Sequence, residues 1–399
     1  MILTKKQEEG LDIIVDRWKS GYKETVISGY AGTGKSTLVK FAIQALVDNN
    51  YYLDPERDVC YAAYTGKAAE VLRKKGNRNV MTLHKLLYDH FPRPEGGFFR
   101  KPKISLGYKL IVVDEVSMVP KPLMELLFSH RDIYVVCLGD PFQLPPIDKD
   151  SDNHLLDKPH IFLDEIMRQE EGSEIIQLTM KIRNQEPIEY MEGEDVKILP
   201  KDALNTGMLF WADQVLVATN KERNRINNNM RELLGRSDAP EDGDKVICLR
   251  NYWDELSETE DPLVNGTIGY LHNSFETERF VPRFVRSAYT SFPVIQGTFI
   301  TDSEEVYPNL EMDKTMILTG EKCCDWKTAY KLGKLKEKYG EIVPKEFTYA
   351  YAITCHKSQG SEWDKVLVIE EKFPFDRIEH ARWLYTACTR ASDKLVLVR

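Results

Sequence analysis

The chain has 399 residues, 42% hydrophobic, 29% charged and 10% aromatic, which excludes global disorder and allows buried cores in about two to four domains. Its 54 basic and 63 acidic residues give a net charge of −9, a balance that weighs against a polyanionic partner because such proteins usually carry a basic excess. No apolar run reaches about 18 residues, so no membrane span is expected. The seven cysteines are dispersed, without a CxxC, which predicts reduced thiols rather than disulfides or zinc. Met1–Gln7 lacks the basic-then-apolar layout of a leader, so a cytoplasmic location is expected.

In chain order, Thr25–Gly29 reads as a short buried strand and Thr37–Asp48 as a helix; Val59–Ala63, Leu110–Val113 and Ile133–Leu138 are further short apolar runs. Strands alternating with helical patterns predict βαβ units around a parallel sheet. The Pro- and Gly-containing stretch Phe91–Lys103 breaks this series, and its Gly96-Gly97 centre predicts a hairpin tip. A second α/β series follows in Gln214–Ala218, Lys365–Ile369 and Lys394–Val398. Between about 235 and 345 the pattern changes to short β runs with an Asn265-Gly266 turn signal, which predicts a small β-barrel-like insertion. The expected fold class is therefore α/β, with two parallel-sheet domains. Residues 1–170 form the first, with a hairpin insertion at about 88–105. Residues 171–234 and 346–399 form the second, interrupted by the β-rich insertion 235–345.

Gly29-Tyr30-Ala31-Gly32-Thr33-Gly34-Lys35-Ser36 matches GxxxxGK[ST] between a predicted strand and a predicted helix. Glycines let backbone N–H groups approach phosphates, and the helix N-terminus favours negative charge. Lys35 would reach the β- and γ-phosphates of ATP and Ser36 would hold Mg²⁺. Leu110–Val113 delivers Asp114 and Glu115 to the carboxyl end of a buried strand, the edge at which open α/β sheets bind ligands. Asp114 would hold Mg²⁺ through water and Glu115 would orient the attacking water. Gly139–Pro146 follows the next strand, and its Gln143 amide is placed to touch the γ-phosphate.

These segments, with Thr354–Gly360 and Tyr385–Arg390, stand in the order and rough spacing of superfamily 1 helicases. The Asp114-Glu115-Val116-Ser117-Met118 and Gly139-Asp140-Pro141-Phe142-Gln143-Leu144-Pro145-Pro146 forms resemble the RecD/Pif1 branch, superfamily 1B, and size and compact insertions resemble its Dda-type phage members. The resemblance implies two RecA-like P-loop domains with parallel sheets, an SH3-like barrel in 235–345, and ATP hydrolysis driving 5′→3′ translocation on single-stranded DNA and duplex unwinding. An RNA helicase or nucleoprotein remodeller with the same engine is the alternative. It also implies a nucleotide site of Gln7, as the adenine reader, Gly29, Gly32, Thr33, Gly34, Lys35, Ser36, Thr37 and Gly360. Arg168 and Arg390 resemble the arginines that face the γ-phosphate, where a planar fork neutralises developing charge. By the same resemblance Thr65, Lys67, Thr82, His84, Thr219, Asn220, Thr354, His356 and Lys357 would line a single-strand track. Duplex junctions would be substrates, single-strand-binding or replication proteins are candidate partners, and a monomer is expected.

Phe98 and Phe99 flank the hairpin tip, where exposed aromatics stack on bases or wedge a duplex; burial against a neighbouring domain is the alternative. Lys327, Lys331, Lys334 and Lys338 share one helix face, for which plain solvation is the commoner explanation. The acidic excess is local. Glu186–Asp195 has five acids and no base, and Asp238–Asp261 has nine acids against two bases, so the rest of the chain is +3. Neither segment carries a track motif, and hydroxyls and amides bind phosphates without net charge.

Overall fold

The computed structural model describes residues 3–49, 51–92, 98–145, 152–165, 172–258, 262–285, 288–335, 341–372 and 376–399, with only the backbone described at 90–92, 98–100 and 253–254. The first compact unit comprises residues 1–88, 102–219 and 354–399, and the second 89–101 and 220–353.

The first half of the chain carries strands β1 (Glu24–Gly29), β2 (Val59–Ala63), β3 (Val80–Thr82), β4 (Tyr88–Pro92), β5 (Phe98–Pro102), β6 (Leu110–Val113), β7 (Tyr134–Gly139) and β8 (Ile161–Leu163). Six of these form an all-parallel sheet in the order β3-β2-β6-β7-β1-β8. Its faces are buried by helices α1 (Lys5–Lys19), α2 (Lys35–Asp48), α3 (Gly66–Lys74), α4 (Leu83–Leu87) and α5 (Lys121–Ser129). Side chains alternate across a strand, and the two cores obey that period. Ile27, Val112, Val136 and Leu138 pack with Ile14, Leu38, Val39 and Leu46. Val26, Ile111, Val113, Val135 and Cys137 pack on the other face with Leu83, Leu86, Leu87, Leu123 and Leu127. Strands buried on both faces read as continuous apolar runs, which is why β1, β2, β6 and β7 were visible in the sequence. Truncating one fully buried core leucine such as Leu38 costs about 2–5 kcal/mol.

β4 and β5 pair as a separate two-stranded sheet, closed at its base by Lys103 N–H donating to the Leu87 carbonyl (2.9 Å). The expected tip, including Gly96-Gly97, lies outside the described residues, as do the Phe98 and Phe99 side chains.

After α6 (Glu174–Arg183), strands β9 (Met191–Glu192) and β10 (Val196–Leu199), helix α7 (Thr206–Trp211) and β11 (Gln214–Val217) begin a second sheet. The chain then departs through α8 (Asn220–Leu233) into β12 (Lys245–Cys248), β13 (Tyr252–Leu256), β14 (Pro262–Leu263), β15 (Ile268–Phe280), β16 (Ser291–Thr301), β17 (Val306–Asp313), α9 (Lys314–Thr319), α10 (Trp326–Gly333), β18 (Phe347–Tyr349) and β19 (Ala352–Thr354). It returns through α11 (Cys355–Ser358), β20 (Trp363–Ile369), α12 (Arg377–Cys388) and β21 (Ala391–Val398). β11, β20, β21 and β10 run parallel in that order, with β9 antiparallel at the edge.

In the second unit five strands form an antiparallel sheet in the order β17-β16-β15-β12-β18, and β13 and β14 pair apart from it. The expected closed barrel is not present among the described residues. β17 and β18 stand at opposite ends of the strand order, and just ahead of β18 the two are joined where Asp313 N–H donates to the Lys345 carbonyl (2.8 Å) and Lys345 N–H to the Glu311 carbonyl (2.8 Å); α9 packs on β16 and β18, with Ile317 in the core beside Phe299 and Phe347. The Asn265-Gly266 turn is as expected: Thr267 N–H donates to the Val264 carbonyl (3.1 Å), and Gly266 takes φ +91°. α10 presents Trp326 and Tyr330 to solvent, with Lys327 over the Trp326 ring and Lys334 over the Tyr330 ring. Lys338 lies outside the described residues.

Candidate nucleotide site and nucleic-acid track

Every parallel strand of the first sheet except β8 delivers a motif residue at its carboxyl end: Gly29 closing β1, Thr65 after β2, Thr82 closing β3, Asp114 after β6 and Asp140 after β7. The loop after β1 can form only with glycine at its root. A Cβ at Gly29 would lie 2.8 Å from both the Leu163 carbonyl and Thr33 Oγ1. Gly32 and Gly34 both take φ +76°, and Gly34 caps α2 in that left-handed state. The first turn of α2 holds no acid, so its positive end is left for an anion. Lys35 Nζ donates to the carbonyls of Gly29 (2.8 Å) and Tyr30 (2.9 Å) at the loop mouth. Ser36 is exposed in that first turn and Thr37 half-buried beside it.

Gln7 is fully buried. Its Nε2 donates to the Thr33 carbonyl (3.1 Å), and its Oε1 accepts from Thr4 N–H (3.0 Å) in the capping box of α1. The side chain therefore ties α1 to the phosphate loop.

Asp114 and Glu115 follow β6 in different conformations. Asp114 N–H donates to the Ala62 carbonyl (3.0 Å), whereas Glu115 sits at φ +51°, a left-handed state that costs a non-glycine residue about 1 kcal/mol or more. Asp114 Oδ1 accepts from Glu115 N–H (2.9 Å). Burial, and then the charge of Glu115, push the Asp114 carboxyl up to about 6. An acid held that way is short of counter-charge, which fits a divalent cation beside Asp114 and Ser36. Among the described residues no group of three His, Cys, Asp or Glu side chains forms a metal cage; a magnesium site that relies on water and nucleotide oxygens needs none.

Gln143, buried after β7, spans the two halves of the site. In the amide orientation that satisfies both neighbours, its nitrogen donates to Glu115 Oε2 (3.2 Å) and its oxygen accepts from Arg390 Nη2 (3.2 Å). Arg390, in the turn two residues past α12, is also buried and donates to the carbonyls of Thr386 (3.1 Å) and Ser361 (3.2 Å) and to Thr389 Oγ1 (3.2 Å). Arg168 lies outside the described residues.

Three contributors were not singled out from the sequence. The Tyr385 hydroxyl accepts from Ala31 N–H in the phosphate loop (3.0 Å) and donates to Asp140 Oδ2 (2.6 Å). Gln359 Nε2 donates to the Leu144 carbonyl (2.7 Å), while Leu144 N–H donates to Thr386 Oγ1 (3.0 Å). The Arg183 guanidinium lies 3.7 Å from the centre of the Tyr30 ring. Tyr385 stands in the same Tyr385–Arg390 stretch as the expected arginine, and that proximity was the one signal available for it.

The expected track residues take varied positions. Thr65 and Thr82 cap α3 and α4, accepting from Ala68 N–H (3.2 Å) and Lys85 N–H (3.3 Å). Lys67 is turned inward and paired with Glu70 (3.1 Å). His84 stacks on Tyr88 at 6.2 Å and lies 5.8 Å from Tyr64. Thr219 donates its N–H (2.9 Å) and its hydroxyl (2.7 Å) to Glu371. Asn220 opens α8. Thr354 precedes α11, on which His356 and Lys357 sit, and burial holds the His356 imidazole below its usual range, a neutral donor at pH 7. Gly360, at φ +75°, packs against Thr65 and Ala68; a Cβ there would lie 2.8 Å from that of Ala68.

A glycine loop feeding a helix, paired acids at the next strand end and a buried arginine from a second parallel sheet define a P-loop nucleotide-binding protein of the two-sheet type. The family model for an AAA domain matches residues 3–197, and that for a UvrD-like helicase C-terminal domain matches residues 349–398. The ATP-dependent RecD2 DNA helicase of Deinococcus radiodurans is 27% identical over 403 residues, 98% of this chain and 48% of that protein. The ATP-dependent DNA helicase dda of Enterobacteria phage T4 is 28% identical over 151 residues, 37% of this chain and 33% of that protein. The Pif1 helicase of Bacteroides, solved with ADP-AlF3 and single-stranded DNA, aligns over 100% of this chain and 92% of its own with a TM-score of 0.53 at 18% identity, a likeness of fold. These matches make the chain similar to the RecD/Pif1-like superfamily 1B helicases. It spans about half the length of the RecD2 protein it matches.

Proposed function

We propose that the chain is an ATP-dependent DNA helicase that translocates 5′→3′ on single-stranded DNA and unwinds duplex DNA. The observation that carries this reading is the chain Glu115–Gln143–Arg390, in which one amide touches an acid of the first sheet and an arginine of the second. In this reading the backbone of Gly29–Lys35 and the Lys35 ammonium hold the phosphates of ATP, and Ser36 and Asp114 hold Mg²⁺. Bound there, Mg²⁺ supplies charge neutralisation of the phosphate oxygens. Glu115 accepts a proton from the attacking water, Gln143 reports the state of the γ-phosphate to Arg390, and Arg390 steadies the charge that develops on it. Arg168 is assigned the same task by its motif alone.

Thr65, Thr82, His84, Thr219, Thr354 and His356 supply a track of mostly neutral donors, with Lys67, Asn220 and Lys357 beside them, and the hairpin at about 88–105 is the strand-separating element. The motor halves are 1–170 and 171–234 with 346–399, and 235–345 is the inserted domain. The names of RecD2, dda and the DNA-bound Pif1 support DNA as the substrate. Among the described residues no helix is long and apolar enough to cross a membrane; action in the cytoplasm as a monomer is part of the proposal. ATP turnover measured with single-stranded DNA, single-stranded RNA and neither tests it, with Lys35→Ala as the dead control. Stimulation by DNA is the expected result. Stimulation by RNA alone transfers the reading to the RNA remodeller, and turnover indifferent to both refutes a nucleic-acid motor.

A further inference from the structure

One hydroxyl joins three segments far apart in sequence. Tyr385 projects from the last turns of α12 and is buried. Its oxygen accepts from the backbone N–H of Ala31 (3.0 Å), near the tip of the phosphate loop, while its proton goes to Asp140 Oδ2 (2.6 Å). Asp140 is itself buried, and its other oxygen accepts from Phe142 N–H (2.9 Å), which shapes the turn that carries Gln143. The ring stands edge-on to Phe142 at 5.3 Å. The next residue, Thr386, accepts from Leu144 N–H, and Arg390, in the turn just past the same helix, meets Gln143. Tyr385 thus spends both directions of its hydroxyl on the first sheet, one on the loop and one on the turn.

We propose that the Tyr385 hydroxyl is a positioning latch. It fixes the phosphate loop at Ala31 relative to the Asp140–Leu144 turn, and so holds Gln143 in register between Glu115 and Arg390. The pairing is specific to an oxygen that can accept and donate at once. A buried carboxylate such as Asp140 needs a donor, and an N–H in the phosphate loop needs an acceptor whenever none is offered from solvent. A phenyl ring at position 385 keeps the packing on Phe142 and loses both bonds. The latch acts through Gln143 and Arg390, so it sets turnover rather than nucleotide affinity. In its kinetic consequences this inference rests on the motor reading; the contact itself does not.

Tyr385→Phe in the full chain tests it with two separable readouts. Hydrogen–deuterium exchange reads the contact with no substrate present, and the peptide containing Ala31 should exchange about tenfold faster or more in the variant. Steady-state kinetics should show turnover lowered about tenfold or more, with the KM for ATP and the affinity for a fluorescent ADP analogue within about threefold of wild type. Asp140→Asn removes the buried charge that the hydroxyl serves, so the double variant should turn over no more slowly than Tyr385→Phe alone, the non-additivity of a shared contact. Unchanged exchange at Ala31, wild-type turnover, additive losses in the double variant, or loss of nucleotide binding would each overturn the latch. Wild-type protein without DNA-stimulated turnover would instead overturn the motor reading, and the exchange result would still decide the contact.

Discussion

The sharpest consequence of the geometry concerns Gln7, which sits on the first helix yet belongs to the phosphate loop. Gln7→Ala removes the donor to the Thr33 carbonyl and the acceptor for Thr4 N–H. Thr33 is buried, so its carbonyl is left without its Gln7 donor at about 1–3 kcal/mol, and the frayed capping box adds about 1 kcal/mol. The expected loss is about 2–4 kcal/mol of unfolding free energy, read as a lower urea midpoint, together with a raised KM for ATP because the loop loses its tether. Gln7→Glu sharpens the test by its pH dependence. An ionised carboxylate beside the Thr33 carbonyl has no proton to donate, whereas a protonated one donates as Gln7 does. The folded-state pKa of that glutamate is therefore raised above its unfolded value of about 4.3. Its stabilisation is fully present below that unfolded value and is lost as pH rises through the folded one. Gln7→Glu should thus approach wild-type stability near pH 4 and match or exceed the Gln7→Ala defect at pH 7.5. A Gln7→Ala protein with an unchanged midpoint and unchanged KM would refute the reasoning, because a plain surface-helix residue gives that result.

Arg390→Ala should bind nucleotide normally yet lose about 10³-fold or more in turnover, with Arg390→Lys failing to restore it because one ammonium cannot replace the fork; a loss under about tenfold in single-turnover kinetics would remove Arg390 from the reacting centre. Asp114, pushed up to about 6, should make the nucleotide-free protein less stable as pH rises from about 4 to 6, by at most about 3 kcal/mol. Asp114→Asn should flatten that dependence in urea titrations at pH 5 and 7.5 while abolishing turnover, and an unaltered slope would contradict the assignment.

The parallel strands were legible because they are buried on both faces and therefore continuously apolar. Of the strands that the sequence does not show, β3, β8, β9 and β10 offer two to four residues each, too few for a period, and the eight-residue β17 lies at a sheet edge. β15 was read only at its start, since beyond Leu271 the strand becomes His272-Asn273-Ser274-Phe275-Glu276-Thr277-Glu278, largely exposed, and polar residues on an outer face carry no burial signal. Among the described residues the expected barrel is met by an antiparallel sheet without a closed barrel, because strand pattern alone does not say how edge strands meet, here through a single bridge between Met312 and Lys345. Motif residues were legible because their chemistry requires fixed local spacing. Tyr385 and Asp140 are 245 positions apart, and nothing local distinguishes a tyrosine that bridges two sheets from one that fills a core. Gln7 was placed near the nucleotide by resemblance, but its burial and its bond to Thr33 follow from the packing of α1 against α2.

The unwinding reaction itself is the most direct measure of a 5′→3′ DNA motor. Duplexes carrying a single-stranded tail on either the 5′ or the 3′ side, incubated with ATP and Mg²⁺ and read by strand separation, ask for substrate and direction together. Unwinding from the 5′ tail, absent with Lys35→Ala, is the predicted result; unwinding confined to the 3′ tail, or strand separation that Lys35→Ala retains, would contradict it.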